Sequence, residues 1–393
     1  MISSPLWSSA FRPFYLLGAL YAPLLIAAWL GAFLGVWTLP LDQVPLRLQH
    51  GHEFIFGFSA AIITGIVLTA LPSWAGTEEI HGPRLVLLVA LWLAGRIAFW
   101  ASPWLSLLMS PMVPAALDCL LFPVVFTMLA PQLLRARNRL YLLLLPILLA
   151  LFAANLIYYH GVFTRNPLQT WQALRLALYA IIVLYVLKGG VLAPIFTGNA
   201  LREKGRGDQV PFKMWLDTAS VGAVLALGTL DLAAAPAVWI GSSALICALL
   251  HGWRCARWQG WRVADVPLVL VMHLGFAWLI VAFTLKGIAE LTGIVAEGAW
   301  VHAFTIGSLG LMMLGLMTRV SLRHTGRPLV VPLAMRIAFA LMFIATLLRL
   351  APNVNFLGSG VIALAAVLWA SCFAIYFRIF WNALLSPSLP RSK

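Results

Sequence analysis

The segment Gln49–Ala70, "QHGHEFIFGFSAAIITGIVLTA", decides the fold class. It opens with His50, His52 and Glu53 and continues as an apolar run that is long enough to cross a bilayer core as a helix. Apolar runs of this length, about 20 residues, recur along the whole chain. Because lipid offers no hydrogen-bond partner to the backbone, such runs predict helices. The predicted fold class is all-α, a polytopic integral membrane protein.

The composition leaves no room for a sizeable soluble domain. The chain has 393 residues, of which 62% are hydrophobic and 10% are charged, whereas a soluble domain carries roughly 25% charged residues. We therefore treat residues 1–393 as a single transmembrane helical domain. The 4 cysteines are scattered without a CxxC pair, which argues against a disulfide framework or a thiolate zinc site.

Hydropathy and the Pro- and Gly-rich connections predict about twelve transmembrane helices. Their expected ranges are 11–37, 50–71, 84–101, 111–130, 140–159, 169–196, 212–230, 236–253, 264–287, 299–319, 329–350 and 357–384. The helix starts near 11, 140 and 264 further suggest three four-helix units, near 11–130, 140–253 and 264–384.

The basic residues are distributed unevenly between the two sides of these spans. The two termini and the even-numbered connections hold most of the 26 Lys and Arg residues. The odd-numbered connections hold only Arg47, Arg165, Lys286 and Arg349. By the positive-inside rule this asymmetry places both termini in the cytoplasm. It also explains the net charge of +14 as a topology signal, so no nucleic-acid partner is expected.

Several ionisable residues fall inside spans or at their outer ends. Such residues usually face the bundle interior and mark a function, so we expect one polar cavity near the outer membrane face. The outer-face candidates are His50, His52, Glu53, Arg96, Asp118, His160, Arg175 and His302, with His273 nearer the midplane. Three other histidines, His81, His251 and His324, are assigned to cytoplasmic connections or helix ends. Since histidine ligates haem iron, copper and zinc, the cavity favours a metal or haem site.

An internal repeat relates helix 2 to helix 10. "HEFIFGFSAAIITGIVLTA" from His52 aligns with "HAFTIGSLGLMMLGLMTRV" from His302. The alignment also pairs Phe54 with Phe304, Gly57 with Gly307 and Gly65 with Gly315. We predict a parallel repeat in which helices 1–3 resemble helices 9–11. Such symmetry would place the two histidines at equal depth, as axial ligands on either face of a haem. The matched glycines would then make room for the macrocycle or, alternatively, only pack helices together.

The residues around this pair have more than one interpretation. Positions two apart on a helix point about 200° apart, so His50 either lies before the helix or serves a different centre from His52. Glu53 is the candidate catalytic residue, which orients His50 or carries protons. Arg96 and Arg175 are candidates to bind haem propionates, and they equally suit pairing with Asp118 or Glu53.

Several stretches of the sequence resemble motifs of the NnrS family. The matching phrases, spread from Phe11 to about Arg327, are "FRPFYLLGAL", "HGHEFIFGF", "KGGVLAPIFTGNAL", "HLGFAWL" and "HAFTIGSLGLMMLGLMTRVSLRHTGRPL". The resemblance implies a twelve-helix bacterial membrane protein with haem and copper, linked to nitric oxide metabolism and nitrosative stress. It extends metal-ligand candidacy to His50, His52, His273 and His302.

These observations lead to one functional hypothesis and two alternatives. The hypothesis is an inner-membrane oxidoreductase that binds and reduces nitric oxide at haem b, with copper near His50 or His273 and protons delivered by Glu53. Electrons would come from quinol or another donor. The first alternative is a haem or copper protein without turnover, acting as a sensor, a buffer or an electron carrier. The second is a secondary transporter, suggested by twelve helices with repeats and by the "GGVLAP" interruption in helix 6.

Overall fold

The protein is described by a computed structural model at residues 4–40, 44–105, 108–136, 139–351 and 358–390. Within these ranges the chain is helical and contains no strand, which confirms the predicted all-α class. Twelve long helices follow one another. They are α1 Phe11–Phe33, α2 Leu46–Ala75, α3 Gly82–Trp100, α4 Met112–Arg135, α5 Tyr141–Phe163, α6 Pro167–Glu203, α7 Met214–Leu232, α8 Ala237–Arg257, α9 Pro267–Thr292, α10 Gly298–His324, α11 Leu333–Leu350 and α12 Ser359–Leu385.

The observed helix ends differ from the predicted ones in informative places. The α2 helix begins at Leu46, four residues earlier than expected, so His50 lies inside the helix and not before it. The α6 helix continues without a break for 37 residues, through Pro194 and the whole "GGVLAP" stretch. The interruption that favoured a transporter is therefore absent from α6. The predicted start of the last helix, residue 357, lies outside the described residues.

Three of the basic residues expected in outer connections lie within helices, and one of them, Arg47, is in the first turn of α2. Lys286 is fully buried in α9, and Arg349 lies in the last turn of α11. The predicted ranges 264–287 and 329–350 already reached Lys286 and Arg349, so counting these two residues with the connections was wrong. Removing them from the outer connections makes the charge asymmetry between the two sides larger than the sequence count indicated.

Eleven of the described helices are long and apolar enough to span a membrane. The helix that fails this test is α8, which has 21 residues and carries His251, Arg254 and Arg257 towards its end. It packs between α7 and α9. Its polar residues therefore face protein where they are buried, as His251 and Arg254 are, and this lowers its hydropathy without exposing those charges to lipid.

The described contacts divide the chain into two compact units. Unit 1 comprises Met1–Ala180, Val320–Pro328 and Phe377–Lys393, and unit 2 comprises Ile181–Arg319 and Leu329–Tyr376. The boundary lies inside α6. The proposed division into three four-helix units stays a prediction.

Both units contain the same three-helix arrangement, which supports the repeat. In unit 1 a side chain added at Gly57 of α2 would meet Tyr21 of α1 and Arg96 of α3. In unit 2 a side chain at Gly307 of α10 would meet Trp278 of α9 and Thr346 of α11.

The next pair of matched glycines repeats this pattern. A Cβ at Gly65 would lie 2.9 Å from Tyr15, and one at Gly315 would lie 2.6 Å from Val271. Neighbouring side chains occupy the space beside all four glycines. The structure thus favours the interpretation that these glycines bring helices close together.

Candidate functional site

A π-helical segment follows each of the two repeat histidines. Glu53–Ser59 begins directly after His52, and Ala303–Gly310 begins directly after His302. π-Helical turns are rare and occur frequently at functional sites. Sequence periodicity gave no sign of them, because each segment reads as one uninterrupted apolar helix. Their matched positions mark the region after each histidine as a site.

A buried cluster of charged side chains surrounds His52 in unit 1. His52 and Glu53 are 0% and 1% exposed. The ring Nδ1 lies 2.9 Å from Glu53 Oε1, and Nε2 lies 2.9 Å from Asn155 Oδ1 and 3.2 Å from Asp118 Oδ2. The ring stacks on Phe99, with 5.3 Å between ring centroids. Three helices besides α2 therefore fix the orientation of this imidazole.

Arg96 joins the two carboxylates of this cluster. Its Nη1 donates to Glu53 Oε1, and its Nη2 donates to Asp118 Oδ1. Pairing with these acids was one of the alternatives left open by the sequence. The Arg96–Asp118 ion pair requires α3 and α4 to pack closely, because a Cβ at Gly95 would lie 2.8 Å from Asp118 Oδ1.

Two hydroxyl groups complete the hydrogen bonding of the carboxylates. Tyr21 donates to Glu53 Oε2 and accepts a 2.8 Å hydrogen bond from Trp100 Nε1. Tyr159 donates to Asp118 Oδ2 at 2.9 Å. Neither tyrosine was predicted, and neither carries a sequence signal, since a tyrosine in an apolar span is ordinary. Asn155, an amide within a long apolar run, was the signal that could have been noticed.

The cluster is able to hold and release a proton at His52. Both ring nitrogens face oxygen acceptors, and an imidazole donates from both nitrogens only when it is doubly protonated. The neutral ring donates to the oxygen at one nitrogen, and its other nitrogen, which carries a lone pair, then faces an oxygen that does not donate to it. Two carboxylates and one guanidinium surround it, so the ring lies inside a network of charged hydrogen bonds.

His50 faces a different environment from His52. Its ring lies 4.7 Å from the ring of Trp29 and 4.4 Å from that of Phe54, measured between centroids. Of the two alternatives, a position of His50 before the helix is excluded, and service to a different centre from His52 stays a prediction. The glycine between them is helical, and a Cβ there would lie 2.9 Å from Leu174, so Gly51 makes room for α6.

His302 has the geometry of a ligand histidine in unit 2. Its Nδ1 lies 2.7 Å from the main-chain oxygen of Gly298. Because a carbonyl oxygen only accepts, Nδ1 carries the proton and the lone pair is on Nε2, which is the usual arrangement of metal-bound histidine. Beside the following π-helical segment, Trp278 Nε1 is buried without a hydrogen-bond partner among the described residues.

His273 lies at another level of unit 2. Its Nε2 is 2.8 Å from Thr197 Oγ1, and its ring packs where Gly260 has no side chain. Val271 of α9 packs against Gly315 of α10, and Trp278 packs against Gly307. Measured along α9 from these two contacts, His273 and His302 lie about nine residues apart, roughly 14 Å. The structure does not bring these two candidate ligands together.

The remaining basic candidates are held by aromatic and acidic partners. Arg175 lies over the ring of Trp171, 5.5 Å from its centroid. In unit 2, Lys286 lies 3.1 Å from both Asp231 and Glu290. This second buried charge cluster was missed, because Lys286 was assigned to a connection.

The three histidines that were assigned to cytoplasmic connections or helix ends differ in exposure. His81 and His324 are exposed, as expected. His251 is 0% exposed and stacks on Phe283, so its assignment to a solvated helix end was wrong. It lies two turns inside α8, on the face that packs against neighbouring helices.

The donor set tests which cofactors these residues suit. Among the residues the structure describes, no group of three His, Cys, Asp or Glu side chains could hold a metal ion. A copper site made of several protein donors does not fit them. A haem iron needs only one or two axial ligands, and His302 suits that requirement. His52 would have to give up its contacts at Nε2 to do the same.

Comparison with known proteins gives one match. No curated protein matches the chain. Residues 5–388, which include both repeat histidines and both buried charge clusters, match the family described as NnrS protein. The chain therefore belongs to the NnrS family.

Proposed function

We propose that this protein is a haem-dependent oxidoreductase of the bacterial inner membrane that binds and reduces nitric oxide. Family membership supports a haem-related role in nitric oxide metabolism. The observation that carries the proposal is the Nδ1 contact of His302 with Gly298, at 2.7 Å. It leaves Nε2 of a half-buried imidazole as the ligating atom.

His302 would hold haem b through Nε2, and the bound haem would supply a redox-active iron that binds diatomic gases. The repeat makes His52 a further candidate to hold haem. In that case Asn155 would have to release Nε2 of His52, which it now contacts at 2.9 Å. No step is assigned to copper.

The unit 1 cluster would supply protons to the reaction. Reduction of nitric oxide consumes protons as well as electrons, and the electrons would come from quinol or another donor. Glu53 contacts His52, Arg96 and Tyr21, so a proton leaving His52 has an immediate acceptor. In this role Glu53, Arg96 and Tyr21 hold and transfer protons without holding the haem.

Haem content tests the ligand assignment. We expect His302→Ala to lose the Soret absorbance of the purified protein, while His324→Ala, an exposed histidine of the same helix, keeps it. Loss of the Soret absorbance in His52→Ala as well would indicate that His52 also holds haem. A Soret band that survives in His302→Ala contradicts the assignment.

Turnover distinguishes the proposal from haem binding alone. Reduced wild-type protein should consume nitric oxide, and Glu53→Gln should slow consumption while keeping the haem. The control is Glu78→Gln, whose side chain is 79% exposed. Binding of nitric oxide without consumption would favour the sensor, buffer or electron carrier.

A further inference from the structure

An open cleft lies in unit 1 at the end where α1 begins and α12 finishes. Its volume is about 600 Å³, within the range of about 300–1,000 Å³ typical of small-molecule sites. Its walls come from the amino-terminal turn, the start of α3 and the segment after α12. The side chains that matter below are Ser8, Arg12, His81 and Ser388.

Arg12 is a buried cation that no carboxylate neutralises. It is 2% exposed, and it donates to the main-chain oxygens of Leu384 and Ser386 at 2.8 and 2.7 Å and to Ser388 Oγ at 2.9 Å. Among the described residues, none of its ion pairs or hydrogen bonds is with an acid. Neutral oxygens satisfy its hydrogen bonds and leave its full positive charge.

A second guanidinium lies close to the first. Nη1 of Arg327 is buried with no hydrogen-bond partner among the described residues, and a side chain at the neighbouring Gly326 would meet the main chain of Leu389. The segment after α12 connects the two positions, because Ser388 Oγ donates to His324 O and Leu389 N donates to Thr325 O, both at 2.9 Å. Two like charges are thus held together at a cost that a bound anion would offset.

The acids nearest in sequence to His81, which lines the cleft, do not supply this anion. Glu78 pairs with Arg84, 3.5 Å away, and its side chain is 79% exposed. Glu79 is exposed too. Neither lines the cleft. The described lining therefore combines a buried cation, a histidine and serine hydroxyls with no acidic side chain.

We propose that this cleft binds a phosphate group at Arg12 and the lining side chains of Ser8, His81 and Ser388, with the positive charge of Arg327 adding to the attraction. Guanidinium binds phosphate oxygens with paired, charge-assisted hydrogen bonds. The cleft lies at the ends of two membrane helices, where basic pockets on the cytoplasmic side bind acidic lipid head groups. An inner-leaflet phosphatidylglycerol head group and free inorganic phosphate offer the same chemistry.

The test measures lipid binding to the full-length protein in detergent. Native mass spectrometry should show retained phosphatidylglycerol and little phosphatidylcholine. We expect Arg327→Gln to weaken phosphatidylglycerol binding about five- to tenfold, since each basic residue near a lipid phosphate contributes roughly that factor. Arg323→Gln, which removes an exposed charge one turn away, should bind as the wild type does, and Arg327→Lys should retain most of the affinity.

A second variant keeps the test decisive if Arg327→Gln does not fold. Ser8 is exposed and lines the cleft, so Ser8→Trp should fill it and reduce binding without touching either arginine. Displacement of the lipid by millimolar inorganic phosphate would identify soluble phosphate as the ligand, and resistance to it would identify the lipid. Equal retention of both lipids would overturn the proposal. It would also be overturned if Arg327→Gln and Ser8→Trp both bound phosphatidylglycerol as well as the wild type does.

Discussion

Arg96 is the single residue on which the unit 1 cluster depends. It lies between Glu53 and Asp118 at 5% exposure, so removing it leaves two carboxylates facing each other across His52. We expect Arg96→Met to lower the free energy of unfolding by about 3–5 kcal/mol, the usual cost of breaking a buried pair. Unfolding in detergent by a denaturant series would measure it.

Arg84 provides the control on the same helix. Its side chain is 63% exposed and pairs with Glu78 at 3.5 Å. Exposed pairs contribute about 0–1 kcal/mol, so Arg84→Met should change stability little. If the two variants lose the same amount, the cluster does not stabilise unit 1.

Asp265, in the connection before α9, gives a pH-dependent prediction. Hydrogen bonds and charge from Arg206, with a further hydrogen bond from Lys204, lower the pKa of Asp265 below its ordinary value of 3.8. A carboxyl whose pKa is lower in the folded state stabilises above its unfolded pKa and loses this effect as pH falls through the folded value. The Tm difference between wild type and Asp265→Asn should be small, constant from about pH 5 to 8 and smaller below about pH 4. A difference that grows on acidification would contradict this sign.

At the scale of the helix, close packing at Gly57 holds the first repeat together. A Cβ there would lie 2.7 Å from Tyr21 Cε1 and 3.1 Å from Arg96 Nη1. We expect Gly57→Ala to destabilise the protein by about 1–3 kcal/mol through overpacking and to disturb the Tyr21–Glu53 hydrogen bond. The Tm in detergent measures the effect.

Gly222 in α7 is the matched control for this change. It is also helical, but a Cβ there meets nothing within 4 Å. Gly222→Ala should therefore be neutral or stabilise by up to about 1 kcal/mol, because alanine is the better helix former. Equal losses at both positions would mean that Gly57 is not a packing contact.

For the whole molecule, the Arg12 contacts settle a question of topology. Arg12 in the first turn of α1 binds main-chain oxygens at the end of α12, so these two helix ends lie on the same side of the membrane. With the eleven more apolar helices as crossings, an even total predicts that α8 crosses as well.

Reporter fusions in the two connections that flank α8 test this conclusion. A reporter after Ala234 should be outside, and one after Trp261 should be in the cytoplasm, with Gly205 as a further cytoplasmic position. Both flanking reporters on one side would mean that α8 does not cross, and the parity argument would fail.

The sequence by itself determined the class of protein and indicated where its candidate site lies. Apolar runs such as Ile55–Ala70 can only be helices in lipid, so the all-α membrane fold followed from local composition. The repeat could be found from His52 and His302 with their matched glycines, because equal helix contacts require equal spacing of small residues. The intramembrane Arg96 and Asp118 marked their cluster, since charges in spans are kept only for a purpose.

Only the tertiary structure decided how those residues are used. Which acid pairs with Arg96, and that Tyr21 and Asn155 complete the network, depends on contacts between helices far apart in sequence. The π-helical segments after both histidines depend on packing and not on the period of the apolar pattern. The burial of Lys286 and His251 likewise followed from neighbouring helices that cover them. A residue type fixes the chemistry that a side chain can perform, but its partners are set by the helices that pack against it.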